Sequence, residues 1–242
     1  MDFQLVKSIF LDNWPMFVRG AVMTIVISVI STLVGAVIGL LIGVVRTIPT
    51  PESNRKKVAL RVVNTIFSAY IEYFRGTPMI VQAMVIFYGS ALLFDIHMNR
   101  FAAAILIVSI NTGAYMAEIV RGGIVSIDKG QFEAANAIGM NHTQSMFNVI
   151  LPQVIRNILP ATANEFVINI KDTSVLNVIG VTELFFQTKS ITGNNFKFFE
   201  SYFIASFIYL LMTFSITRIL RLFEKKLDGP ENYDIVGNQM QI

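Results

Sequence analysis

The sequence of 242 residues contains no cysteine, only two histidines and few charged residues. Without cysteine the chain has no disulfide, no thiolate metal site and no cysteine nucleophile. The two histidines, His97 and His142, are too few for a histidine-based metal cluster. These absences argue against the common cysteine-based and metal-based functions.

Charge is scarce along the whole chain. Charged residues make up 14% of the sequence, against roughly 25% in soluble globular domains. Hydrophobic residues make up 54%, and the mean hydropathy is +0.60. The composition therefore predicts an all-α integral membrane protein. The isoelectric point near 9.2 is basic, but no basic stripe on a polar surface accompanies it, so nucleic-acid binding is not expected.

Charge-free runs predict about five transmembrane helices, because about 20 apolar residues cross a hydrocarbon core roughly 30 Å thick. The fourth span is apolar overall but carries Glu165, Lys171 and Asp172. An apolar segment from Phe3 to Phe17 precedes the first span and predicts a separate surface helix. The five predicted spans are Gly20–Val45, Gly76–Phe94, Phe101–Ala117, Ile155–Phe186 and Ser201–Thr217.

The first span contains Gly35, Gly39 and Gly43 at every fourth position. Such a ridge of small residues lets another helix approach closely. The spacing predicts a helix–helix contact, and it leaves open whether the neighbouring helix belongs to the same chain.

The distribution of positive charge predicts the orientation. With five spans, 12 of the 19 Lys and Arg residues fall on the side that holds segments 46–61 and 121–156 and the C-terminal segment. Six fall on the other side, and Arg75 lies within a span. By the positive-inside rule the richer side is cytoplasmic, which places the N-terminus outside and the C-terminus inside.

The second span carries Arg75 directly before Gly76, Thr77 and Pro78. Proline removes a backbone donor, so the helix is expected to kink or open at this point. Arg75 beside an opened turn can hold a carboxylate through two parallel hydrogen bonds. The alternative is that Arg75 pairs with Glu72 or Glu118 and locks the helix bundle.

The fourth span carries Lys171 and Asp172, followed by Thr173 and Ser174. The oxygen atoms of Asp172, Thr173 and Ser174 are acceptors suited to an ammonium group or a cation. Charged groups within a membrane span are energetically costly, so they indicate a functional site. The alternative is that the helix ends early and leaves these charges solvated.

Residues 129–152 form a cytoplasmic segment between the third and fourth spans. Gly130 precedes a short helix rich in Glu and Ala, Gly139 turns the chain, and a second short helix is expected to end near Pro152. Two short helices joined at a glycine corner predict a rigid projection, a shape that suits docking to another protein.

Specific motifs now give a resemblance. The cytoplasmic segment resembles the EAA loop of ABC-importer permeases, with Val149 in place of the usual isoleucine. The stretches Phe74–Pro78, Ala117–Gly123 and Lys171–Ser174 resemble the polar amino-acid branch, the histidine/glutamine/arginine type. The EAA pattern is carried by Glu133, Ala134, Ala135, Gly139, Val149, Leu151 and Pro152.

The resemblance implies the type I permease fold and transport of a polar amino acid by alternating access. It implies a second permease, identical or related, two cytoplasmic ABC ATPase subunits and an extracytoplasmic solute-binding protein or domain. It also implies the bacterial cytoplasmic membrane as the location. The chain has no phosphate-binding loop of the pattern GxxxxGK[ST], so we expect no bound cofactor and no enzymatic activity of its own, with ATP and Mg used by the partner ATPase.

The resemblance also implies two sets of functional residues. The coupling set, which contacts the ATPase or transmits its movement, is Gln131, Glu133, Ala134, Ala135, Gly139, Leu151 and Pro152. The substrate set, halfway across the membrane, is Arg75, Thr77, Gln82, Asp172 and Ser174, in which Arg75 suits the carboxylate and Asp172 suits the ammonium group.

Two other functions are weighed against the permease. A scaffold subunit would use the projection to recruit a partner without translocation, but it has no need of Arg75, Lys171 and Asp172 in lipid. A membrane enzyme is the weakest alternative, because the predicted topology separates His97 from His142. The expected domain organisation is one permease domain over 1–228 and a cytoplasmic tail over 229–242.

Overall fold

The computed structural model describes residues 3–227, and these form helices and connecting turns without a β-strand. The predicted tail over 229–242 lies outside the described residues. The helices are α1 (Phe3–Val45), α2 (Asn54–Gly76), α3 (Met79–Phe94), α4 (Arg100–Val125), α5 (Lys129–Ala137), α6 (His142–Ser145), α7 (Leu151–Asp172), α8 (Leu184–Asn195) and α9 (Phe198–Leu227).

Three helices are long and apolar enough to cross a membrane: α1, α4 and α9 through Glu224. The pair α2 and α3 qualifies together as a fourth, broken span with a bend of 114°. Helix α7 has 22 residues, but with Arg156, Glu165, Lys171 and Asp172 it does not meet the same criterion of composition. The all-helical membrane fold is therefore present, and α7 is a helix within it that carries four charged residues.

Two predictions about helix bounds are wrong. The segment from Phe3 to Phe17 is not a separate helix, because α1 runs unbroken through Pro15 for 43 residues. At about 1.5 Å per residue this helix is about 64 Å long, roughly twice the thickness of a hydrocarbon core. Pro15 lies in a largely exposed part of α1, and the helix continues on both sides of it.

The fourth predicted span, Ile155–Phe186, is likewise not one helix. The α-helix ends at Asp172 and passes into a 3₁₀ segment, Thr173–Ile179, which Gly180 ends with a φ of +77°. Glu183 then caps a new helix, α8, by accepting hydrogen bonds from the amides of Phe185 and Phe186 at 2.8 and 2.7 Å. A left-handed glycine and a new cap are sufficient reason for the chain to turn here.

The glycine ridge of the first span packs within the chain, against α4. A Cβ atom added at Gly39 would stand 2.3 Å from Cβ of Met116, and one at Gly35 would stand 2.7 Å from Cβ of Thr112. Gly43 approaches Val120 in the same way. The backbones of α1 and α4 are closer than any larger residue allows. The helix that packs on the glycine ridge therefore belongs to the same chain.

A polar cluster joins three helices at the level of this contact. The side-chain amide of Asn169 in α7 donates to Thr32 Oγ1 of α1 at 2.8 Å and to Thr112 Oγ1 of α4 at 3.0 Å. All three side chains are buried. Because an unpaired polar group in a membrane interior is costly, this cluster fixes the mutual register of α1, α4 and α7.

We predict that Gly39→Leu destabilises the protein, because the new side chain overlaps Met116 and forces α1 away from α4. Overpacking of this kind costs about 1–3 kcal/mol or more. The measurement is thermal unfolding of the purified protein in detergent. Gly89→Ala in α3, where an added Cβ meets no atom within 4 Å, is the control and keeps the wild-type melting temperature. An unchanged melting temperature for Gly39→Leu would contradict the packing role.

Candidate functional site

The break between α2 and α3 positions the first part of the candidate site. Helix α2 ends at Gly76, and Pro78 lacks the amide that would continue the hydrogen-bond ladder to the carbonyl of Phe74. The predicted kink at Pro78 is confirmed by the bend of 114°. The sequence did not predict what replaces the missing backbone hydrogen bonds.

Gln82 and Asn111 supply the replacements. The Gln82 amide nitrogen lies 2.9 Å from the carbonyls of Phe74 and Thr77 and from Thr77 Oγ1. Asn111 of α4 donates to the Phe74 carbonyl at 3.2 Å and to Gln82 Oε1 at 2.9 Å. Gln82 is fully buried, so its amide is satisfied inside the chain. Its geometry supports the shape of the break, and its place in the substrate set stays a prediction.

Arg75 and Thr77 lie on the two sides of this break. The guanidinium carbon of Arg75 stands 5.5 Å from the ring centroid of Tyr115, a cation–π contact, and the Arg75 side chain is exposed. The Thr77 hydroxyl donates to the carbonyl of Tyr73 at 2.7 Å and is half-buried. Within the described residues the Arg75 guanidinium has this ring contact but no ion pair, so its donor groups are available to a ligand.

The alternative partners considered for Arg75 are engaged otherwise or not in contact with it. Glu118 is bound by Arg46 and by Arg121, whose guanidinium lies 2.9 Å away. This triad ties the end of α1 to α4 on the side that the charge distribution predicts to be cytoplasmic. No ion pair between Arg75 and Glu72 occurs among the described residues. The ion-pair lock is thus made by Arg46, Glu118 and Arg121, and not by Arg75.

Helix α7 brings the second part of the site. Asp172 is its last residue and is half-buried, and Ser174 is half-buried in the following 3₁₀ segment. That segment packs against α3, where the Tyr88 hydroxyl donates to the carbonyl of Val178 at 3.2 Å. The α-helix therefore ends early, at Asp172, as the alternative proposed, but the chain continues as a packed 3₁₀ segment and the Asp172 side chain is half-buried, whereas Lys171 is exposed.

Glu165 is a charged residue that the sequence-based selection of site residues left out. It is half-buried on α7 and lies within electrostatic range of both Asp172 and Arg75. Glu165 and Asp172 are seven residues apart, about two helical turns and about 10 Å along the axis, so they share one face of α7. This seven-residue spacing was the signal in the sequence that could have identified Glu165.

A second carboxylate, Glu183, is fully buried but serves the fold. Besides capping α8 it accepts a hydrogen bond from the Tyr209 hydroxyl of α9 at 3.0 Å. All its partners belong to the chain and lie at the junction of α8 and α9. It was not predicted, since an N-cap glutamate cannot be recognised before the helix start is known.

The projection over 129–152, which the charge distribution predicts to be cytoplasmic, has the predicted corner between two short helices. Asp128 caps α5 through the amide of Gly130 at 2.6 Å, and Gly139 has a φ of +83°. The amide of Met140 donates to the carbonyl of Ala135 at 3.0 Å, which closes the turn after the helix. A residue with a Cβ atom is strained at such a φ, so Gly139 has a conformational reason to be glycine.

The second short helix does not end near Pro152, as the sequence suggested. Asn141 and Gln144 form a capping box that starts α6, and a π-helical turn, Met146–Ile150, carries the chain directly into α7. Pro152 lies in the first turn of α7, where its missing amide is tolerated. Helix α6, the π-helical turn and α7 are therefore one continuous helical unit, and the corner at Gly139 joins α5 to it.

The coupling residues divide between an outer and an inner surface. Gln131, Glu133 and Ala134 are exposed, whereas Ala135 and Leu151 are buried. Leu151 belongs to an apolar cluster with Ile150, Val120 and Ile124, which holds the projection against the end of α4. The outer surface also carries Ile138 and Phe147, which are 74% and 64% exposed and add an apolar area to it.

Comparisons with known proteins decide the family. Residues 58–229 match the model of the binding-protein-dependent transport system inner membrane component family. The chain belongs to this family. It is 39% identical over 214 residues to the glutamine transport system permease protein of Escherichia coli K12, covering 88% of this chain and 93% of the relative. It is 36% identical over 216 residues to the L-cystine transport system permease protein of Bacillus subtilis, covering 89% and 88%.

Solved structures agree with the fold. An amino acid ABC transporter crystallised with histidines superposes with a TM-score of 0.79 at 35% identity, covering 93% of this chain and 99% of the other. A methionine ABC transporter in an inward-facing conformation gives a TM-score of 0.72 at 18% identity over 94% and 99%, a likeness of fold alone. This chain is thus a permease component of an amino-acid ABC transporter with the type I importer fold, and its relatives are transport subunits.

We predict that Gln82→Leu destabilises the protein, because the carbonyls of Phe74 and Thr77 lose their donor at a buried break. An unsatisfied buried polar group costs about 1–3 kcal/mol. Thermal unfolding in detergent measures the effect. Gln187→Leu is the control, since the Gln187 side chain has no hydrogen bond to the part of the chain that the structure describes. Equal melting temperatures for the two variants would show that Gln82 does not hold the break.

Proposed function

We propose that this chain is the permease subunit of an ATP-driven importer of a polar amino acid in the bacterial cytoplasmic membrane. In this proposal it pairs with a second permease and works by alternating access. Two cytoplasmic ABC ATPases supply the energy from ATP and Mg, and an extracytoplasmic binding protein or domain delivers the solute. The observation that carries the proposal is the rigid EAA projection, continuous with α7, in a chain whose α7 also bears the charges of the candidate substrate site.

The coupling step follows from the continuity of this unit. When the ATPases push against its outer surface, the projection moves as a rigid body. The reason is that a hydrogen-bonded turn at Gly139 ends α5, and the apolar cluster around Leu151 holds α5 to α7. The displacement of α7 then changes how it packs on α1 and α4. Packed helices switch between discrete arrangements, which suits an alternation between two states.

The substrate site lies between the break after Arg75 and the end of α7. Arg75 provides donors for the carboxylate of an amino acid, and Asp172 with Glu165 provides acceptors for its ammonium group. Thr77 and Ser174 contribute hydroxyl groups between these charges, and Gln82 keeps the break open. A scaffold subunit has no use for such a set of opposed charges in a membrane, so the set favours a translocating subunit.

We predict that Glu133→Lys uncouples the transporter, because it reverses a charge on the exposed surface offered to the ATPase. Binding-protein-stimulated ATP hydrolysis in proteoliposomes falls to the unstimulated rate, while membrane insertion is retained. Gly139→Pro has the same effect, since proline cannot adopt the φ of +83°. Glu52→Lys, an exposed charge reversal on the α1–α2 connection, keeps normal stimulation. Normal stimulation in Glu133→Lys and Gly139→Pro would remove the coupling role.

We predict that Arg75→Ala and Asp172→Asn each weaken amino-acid binding to the assembled permease–ATPase complex by at least about tenfold, as expected for loss of a hydrogen bond to a charged group. Equilibrium binding of the radiolabelled amino acid, without binding protein, measures it. Glu165→Gln weakens binding in the same direction. The controls are Arg55→Ala and Asp95→Asn, both exposed and distant in sequence from the site. Unchanged binding and uptake in all three site variants would reject an internal site and leave selection to the binding protein.

A further inference from the structure

A cleft of about 300 Å³ lies between α7 and α9 and is not used by the proposed transport mechanism. Three basic side chains line it, Lys171 from α7 and Arg218 and Arg221 from α9. Its apolar wall is formed by Val167, Leu210 and Phe214. The cleft therefore combines a positive region with a hydrophobic one.

The positive charges of this cleft have no acidic partner within it. None of its lining residues is acidic, and none of the three cations forms an ion pair with the described part of the chain. Arg218 rests on the ring of Phe214, with its guanidinium carbon 5.0 Å from the centroid. Two acids lie outside the cleft: Asp172 follows Lys171 and is within electrostatic range of it, and Glu224 borders a neighbouring cleft beside Arg221. Three like charges that face one space attract an anion.

The cleft and the substrate site occupy different faces of α7. At about 100° per residue, Val167 and Lys171 lie about 200° and 240° around the helix from Glu165, whereas Asp172 lies within about 20° of it. The hydrogen-bonded Asn169 is on the side of Glu165 and is buried. The cleft is therefore on a different face of α7 from the acidic groups proposed to bind the ammonium group of the substrate.

The position along α9 indicates the depth of the cleft in the membrane. Arg218 and Arg221 are 20 and 23 residues after Phe198, about 30 and 35 Å along the helix, which is the thickness of a hydrocarbon core. The predicted orientation puts this end at the cytoplasmic surface. Lys171 faces the cleft nearer the membrane interior, and a lysine side chain reaches toward the surface from such a position. Arg218 and Arg221 thus stand at the level expected for the inner-leaflet phosphates, and Lys171 lines the same cleft from deeper in the membrane.

We propose that this cleft binds an anionic phospholipid from the inner leaflet. Its phosphate lies among Lys171, Arg218 and Arg221, and one acyl chain follows Val167, Leu210 and Phe214. Basic pockets between transmembrane helices on the cytoplasmic side are suited to such head groups. The apolar wall distinguishes a lipid from a free phosphate, which has no use for that surface.

The test compares phosphatidylglycerol with phosphatidylcholine of the same acyl chains, by native mass spectrometry of the detergent-solubilised transporter. The wild type prefers phosphatidylglycerol, and Arg218→Gln/Arg221→Gln lowers that preference at least about tenfold, because each basic residue near a membrane surface contributes about fivefold. Lys171→Gln lowers it about fivefold, and Lys171→Arg restores it. The control Arg55→Gln/Lys56→Gln removes two exposed cations elsewhere and keeps the preference.

Three results would overturn the proposal. The first is an equal loss in the control, which would indicate general electrostatic attraction. The second is competition by inorganic phosphate as strong as by the lipid, which would indicate a free-anion site. The third is displacement of phosphatidylglycerol by the transported amino acid, which would place the cleft on the solute path. Melting temperatures of all variants are measured in parallel, and should the double variant fail to fold, the Lys171→Gln and Lys171→Arg pair decides.

Discussion

The close approach of α1 to α4 is the constraint on which the rest of the structure depends. Gly35, Gly39 and Gly43 bring the two backbones together, and only at that distance can Thr32 and Thr112 both reach the amide of Asn169. Lipid chains are as apolar as leucine side chains, so helices in a membrane gain little from hydrophobic burial against one another. Close backbone packing and shared hydrogen bonds must hold them together. The position of α7 is therefore set by polar groups that the glycines make accessible.

The same constraint defines what α7 can do. Helix α7 is fixed to its neighbours through Asn169, near its C-terminal end, while its N-terminal end continues into the π-helical turn and α6 of the projection. In the proposed mechanism, a displacement imposed on the projection is transmitted along α7 to Glu165 and Asp172, which lie on either side of Asn169. Coupling and substrate binding are thus proposed to share one helix.

The sequence predicted the membrane class, the apolar helices that correspond to α1, α4 and α9, the kink at Pro78 and the corner at Gly139, because each depends on local chemistry. Lack of charge, a missing amide and a required positive φ are properties of single residues or short runs. It did not predict that residues 155–186 form three elements, since the cap at Glu183 is a buried carboxylate whose further hydrogen bond comes from the Tyr209 hydroxyl of a distant helix. The role of Gln82 was hidden for the same reason. The carbonyls that Gln82 binds become free only once the break has formed, and Asn111 joins them only after α4 has packed.

The charged side chains of the helix bundle are few, and each has either a specific partner or a specific face of its helix. In a bilayer each ionised side chain requires a partner, a ligand or access to the surface. Arg46, Glu118 and Arg121 satisfy one another, and Glu183 is satisfied by two backbone amides and a hydroxyl. The remaining intramembrane charges separate by face, with Glu165 and Asp172 on one side of α7 and Lys171 on the other. Lys171 lies within electrostatic range of Asp172, but helical periodicity turns the two side chains about 100° apart. The proposed solute site therefore uses the acidic face, and the proposed lipid site uses the basic face.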